Sequence, residues 1–98
     1  LTEAADPAAW AEVQRALGNA WLTREDGDQP THLQTAITHF EQALRIESLE
    51  RAPGQWLHLN HMLASAYQEL GHDDRAIDYY RRALQTPLEV HKWVWLKI

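Results

Sequence analysis

The chain has 98 residues, 45% of them hydrophobic and 23% charged, and it carries no cysteine. That length supports one small domain, and the missing thiols exclude a disulfide framework and thiolate metal sites. Nine Lys and Arg against 14 Asp and Glu leave a net charge of −5, the wrong sign for a nucleic-acid or anionic-membrane surface.

The start, Leu1-Thr2-Glu3-Ala4, has neither a basic, apolar leader nor an initiator Met, so the sequence reads as a piece of a longer, cytoplasmic protein. No apolar run reaches the roughly 18 residues of a membrane span. Asp6 followed by Pro7 predicts an N-cap and a first-turn proline. From there Trp10, Val13, Ala16, Leu17, Ala20 and Trp21 recur at three- and four-residue steps, the stripe of a first helix. Arg24 to Pro30 reads as a loop, with Asp28 the cap of a second helix that buries Leu33, Ala36, Ile37, Phe40, Ala43 and Leu44.

A third helix is expected from about Pro53 to Gly71, burying Trp56, Leu59, Leu63, Ala66, Tyr67 and Leu70, with Gly71 just past its end. Asp73 or Asp74 then opens a fourth, with Ile77, Tyr80, Ala83 and Leu84 inward. Thr86-Pro87-Leu88-Glu89 has the form of a capping box, and a fifth helix through Trp93, Val94 and Leu96 should follow. Strand signals are weak, because β-branched residues are scattered and never alternate.

The pattern repeats. Trp10, Leu17, Ala20 and Trp21 return 46 positions later as Trp56, Leu63, Ala66 and Tyr67. Ala36, Ile37, Phe40, Ala43 and Leu44 return 40 positions later as Ala76, Ile77, Tyr80, Ala83 and Leu84. Two copies of a two-helix unit follow, the first with a longer connection between its helices. The expected architecture is an all-α solenoid of antiparallel helical hairpins. Repeat one covers about 7–47, repeat two about 53–86, and a partial third repeat or capping helix 87–98.

Leu17-Gly18-x₂-Trp21 with Ala36-x₃-Phe40-x₂-Ala43, and Leu63-Ala64-x₂-Tyr67 with Ala76-x₃-Tyr80-x₂-Ala83 and Pro87, resemble the tetratricopeptide repeat. Two departures stand out. The leading Trp of that pattern is Gln14 in one copy and Asn60 in the other, and a Trp sits four residues earlier in both. The long first connection resembles a bacterial subgroup found beside caspase-like protease or signalling ATPase domains, and neither domain lies in this chain.

The resemblance implies a non-enzymatic module that binds a protein or peptide in a concave groove lined by the first helix of each hairpin. It places Glu12, Arg15, Asn19 and Leu22 there from repeat one, and His58, His61, Met62, Ser65 and Glu69 from repeat two. Chaperone-binding members hold a terminal carboxylate with a basic residue and an Asn one turn apart. Arg15 and Asn19 match that pair, Met62 stands where an Asn belongs, and Lys92 offers a further cation.

An alternative is self-assembly, a homodimer formed through exposed end helices. Either three or more repeats bury the apolar faces, or the ends pair between molecules. The apolar Trp93–Ile98 end fits a cut third repeat or such a surface.

No catalytic residue, cofactor or metal site is predicted. The four glycines are scattered, and no Gly-x-Ser-x-Gly or His-Glu-x-x-His occurs. Glu25-Asp26-Gly27-Asp28 lacks the following ligands of a calcium loop. His58 and His61 share a helix face, but two imidazoles without a nearby acid fall short of the three or four ligands zinc needs. Solvated or groove-lining histidines are the preferred reading, with pH-sensitive binding the lesser alternative.

Overall fold

The computed structural model describes residues 2–87. They form four helices, α1 (Pro7–Thr23), α2 (Gln29–Leu44), α3 (Pro53–Glu69) and α4 (Asp73–Ala83). Each packs on the next in chain order, and no strand occurs among the described residues. The described residues are all-α, as their periodicity predicts. The expected fifth helix, with Lys92, Trp93, Val94 and Leu96, lies outside the described residues.

Local chemistry sets the helix ends. The Asp6 carboxylate accepts a hydrogen bond from the Ala9 N–H at 3.1 Å and caps α1. Asp28 is the N-cap residue of α2, but its carboxylate accepts from the Thr31 hydroxyl at 2.7 Å rather than from the backbone. Gly71 terminates α3 at φ +83°. The His72 N–H reaches the Tyr67 carbonyl at 2.9 Å and the Gly71 N–H reaches Gln68 at 3.0 Å. This paired closure needs a left-handed residue, which glycine supplies without a Cβ clash. The N-cap of α4 is His72; Asp73 and Asp74 occupy its first turn, and Arg81 and Arg82 its last. Both pairs oppose the charge of the helix end they occupy.

Phe40 sits at the centre, 1% exposed, with Leu59 and Leu63 fully buried beside it in one cluster. Small residues bring the helices close: Ala11, Ala36 and Ala43 have no exposed surface. At Gly18 the approach is closest, since a Cβ there would lie 2.6–2.9 Å from three atoms of the Phe40 ring. Alanine would gain about 1 kcal/mol of helix propensity, but the ring is walled in. Overpacking of about 1–3 kcal/mol should win. Gly18→Ala is therefore expected to lower the urea midpoint; an unchanged or raised midpoint would show that Phe40 can retreat.

Two predicted stripes need correction. Val13, Ala16, Leu17 and Ala20 are exposed on α1, and the buried positions are Ala11 and Gly18. Ile77 and Leu84 are exposed on α4, where Ala76 and Ala83 are buried instead. The cause is position in the stack. α3 has α2 on one side and α4 on the other, so Leu57, Asn60 and Ala64 are buried as well as Leu59, Leu63 and Ala66. Among the described residues α1 packs chiefly on α2, and α4 chiefly on α3. Their outward apolar residues have nothing to cover them there. Trp10, Trp56 and Leu70 are half-buried rather than buried.

Candidate partner-binding groove

The predicted groove residues stand on α1 and α3, the first helices of the two hairpins. Glu12, Asn19, His61 and Glu69 are exposed. Arg15, Leu22, His58, Met62 and Ser65 are half-buried, and Leu22 and Met62 also pack against the core. Lys92 lies outside the described residues.

Arg15 is the pivot. Its Nε donates to Glu47 Oε1 at 3.0 Å and lies 2.8 Å from Oε2. Glu47 is buried in the α2–α3 connection, where its backbone N–H closes the end of α2 onto the Ala43 carbonyl. Burial pushes the Glu47 carboxyl above its usual range; Arg15 pulls it back, and Glu12 adds to the upward push. Arg15 is thus already committed to an internal carboxylate through its Nε. A residue poised to fork onto a peptide terminus would keep that edge free.

His58 is held below the usual histidine range, first by burial and then by the positive charges of His61 and Arg15. Arg15, Glu12, Glu47, His58 and His61 therefore form one electrostatic neighbourhood, contributed by α1, the α2–α3 connection and α3. His61 also sets its ring edge-on to Tyr80 of α4, centroids 5.6 Å apart. An NMR titration should find the His58 midpoint below that of a free histidine, and His61→Ala should move it upward. A His58 midpoint at or above the free value would contradict the buried placement.

Asn19, Ser65 and Glu69 are on the same helices, but no hydrogen bond from their side chains draws them into this cluster. No group of three His, Asp or Glu among the described residues is arranged to hold a metal ion. No described helix is long and apolar enough to cross a membrane.

Two groupings escaped the sequence reading. Glu47 lies beyond the end of a helix, where periodicity says nothing. On the opposite flank Glu41 of α2 accepts from the Tyr67 hydroxyl at 3.0 Å and the Tyr79 hydroxyl at 3.4 Å. Tyr67 and Tyr79 stack at 5.5 Å, with Arg75 over the Tyr67 ring and Arg82 over Tyr79. This ladder ties α2 to both helices of the second hairpin. Only the aromatic at Tyr67 was foreseeable from spacing.

Two helical hairpins packed side by side, the first closed by Gly18 against Phe40, define an α-helical repeat architecture. Residues 57–86, from the first turns of α3 to just past the end of α4, match the tetratricopeptide repeat. No curated protein and no solved structure matches the chain. Tetratricopeptide repeats generally mediate protein–protein interaction.

Proposed function

We propose that the chain is a non-enzymatic scaffold that holds a protein segment against the groove face of α1 and α3. The observation that carries this reading is the match of residues 57–86 to the tetratricopeptide repeat, with Glu12 and Arg15 on α1 and His58 and His61 on α3 offering polar groups from both hairpins. The face offers hydrogen-bond donors at Asn19, His58, His61 and Ser65, acids at Glu12 and Glu69, and apolar surface at Leu22 and Met62. That mixture suits an extended or helical peptide with polar and apolar side chains interleaved. Because Arg15 is paired with Glu47, internal residues of the bound segment, rather than a terminal carboxylate, supply the main contacts.

A peptide array of varied charge and hydrophobicity tests it. Bound peptides should lose about tenfold in affinity, or roughly 1.4 kcal/mol, when His61 or Asn19 is replaced by alanine. Arg82→Ala, on the opposite flank, should leave binding unchanged. Capture that survives both groove substitutions, or an array with no binder, would overturn the proposal. The exposed apolar residues Val13 and Leu17 of α1, and Ile77 and Leu84 in and beside α4, favour a second, compatible reading, self-assembly through exposed helices.

A further inference from the structure

Among the described residues four large hydrophobics are exposed: Val13 at 44%, Leu17 at 38%, Ile77 at 47% and Leu84 at 77%. Their positions in the repeat are not arbitrary. Val13 and Leu17 correspond, 46 positions on, to Leu59 and Leu63 of α3, both fully buried. Ile77 and Leu84 correspond, 40 positions back, to Ile37 and Leu44 of α2, which lie in or against the same core. The four exposed residues are the repeat equivalents of residues on α2 and α3, two helices that pack on each other and share one core, with one set displayed at each end of the described residues.

We infer that copies of this chain associate head to tail, α4 of one molecule packing on α1 of the next in the register of the internal α2·α3 contact. Ile77 and Leu84 then cover Val13 and Leu17 of the next copy, in the way Ile37 and Leu44 share a core with Leu59 and Leu63. The surroundings fit the exchange. The outward face of α1 is nearly free of charge, since Glu12 and Arg15 are the sole ionisable residues of that helix. Arg81 takes the place of Glu41, and in this register it approaches the connection after α1, which carries Glu25 and Asp28 besides Asp26, the last already paired with Arg24. In the internal contact Glu41 instead meets the Tyr67 and Tyr79 hydroxyls, with Arg75 donating to Tyr67. The charges on the two sides are thus inverted together.

The occupant is a second copy because both complementary faces reside on one chain, and the packing that joins them already exists within it. The interface is heterologous, so it does not close at a dimer. A single helix-on-helix contact falls at the small end of interfaces, below about 1,200 Å² in total. The association is therefore reversible and concentration-dependent. This inference rests on the assembly reading, fixes its geometry, and is independent of the groove.

Light scattering across about a hundredfold dilution tests it, with Leu17→Lys and Ile77→Lys as probes. Both sites are exposed, so the variants should melt like the parent by circular dichroism; Val13→Lys and Leu84→Lys replace either one that does not. The parent mass should rise with concentration past twice the 11.4 kDa monomer. Each variant alone should stay monomeric. An equimolar mixture should form a one-to-one pair and nothing larger, since one variant keeps the α4 side intact and the other the α1 side. A parent that is monomeric throughout overturns the inference. So does Ile77→Lys assembling alone, the result expected if α1 faces pair with each other, or a mixture that stays monomeric. Both variants should bind groove peptides as the parent does, which separates failure of this contact from failure of the scaffold.

Discussion

Phe40→Ala is expected to cost about 3–5 kcal/mol, roughly a third or more of the stability a domain of this size possesses. The ring is 1% exposed and lies against Gly18 of α1 and within the cluster that includes Leu59 and Leu63 of α3. It thus joins the first hairpin to the second as well as α1 to α2. Truncation loses the transfer free energy of the ring and leaves a cavity that Gly18 cannot fill, having no side chain to move in. Small domains typically keep about 0.05–0.15 kcal/mol per residue, or about 5–15 kcal/mol at this length, so the variant should unfold at a much lower urea concentration, and reach its midpoint without denaturant if the parent lies at the low end. Urea melts followed by circular dichroism and by tryptophan emission would measure the loss. A cost under about 1 kcal/mol would mean that the helices collapse onto the vacated space, and that Phe40 is not the keystone of the packing.

The same comparison shows what could be read from the sequence. Ala36, Phe40 and Ala43 were placed inward by three- and four-residue spacing alone, and the structure buries all three. Spacing also marked Leu17 as buried, wrongly, although its repeat equivalent Leu63 is fully buried. Periodicity identifies an apolar face; it does not say whether another helix covers that face. In a linear stack the answer depends on place in the order, so interior α3 buries two faces and α1 one. Conversely, Asn60 is fully buried and was not foreseen. Its Nδ2 donates to the Trp56 carbonyl at 2.8 Å, a local bond that lets a polar residue enter the core. Of the groove, the helices and residue identities were legible. The Arg15–Glu47 pair was not, because it joins residues far apart in sequence through a connection with no period.

Arg15→Ala should destabilise the fold by an amount that grows with pH. Burial holds the Glu47 carboxyl above its ordinary value even with Arg15 beside it. The folded state therefore binds that proton more tightly than the unfolded chain. Glu47 contributes most to stability below the ordinary carboxylate range, and its contribution is lost as pH rises through the folded value. Removing Arg15 takes away the group that opposes this rise, so the folded value climbs further and the loss deepens. At acid pH Glu47 is neutral in both proteins, and the difference between them should be small. Near pH 7 the variant holds a buried carboxylate without its cation. Breaking a fully buried pair costs about 3–5 kcal/mol. Arg15 retains 27% side-chain exposure, so solvent softens the penalty to about 1–3 kcal/mol. Parent and variant melted side by side at each pH cancel the titration of the other acids. Adding Glu47→Gln to the variant should flatten the dependence, because no carboxylate is left to ionise. A deficit of the same size at acid and neutral pH would instead assign the role of Arg15 to the packing of its aliphatic stem. Its pairing with Glu47 would then be incidental, and its guanidinium would be free to serve the groove.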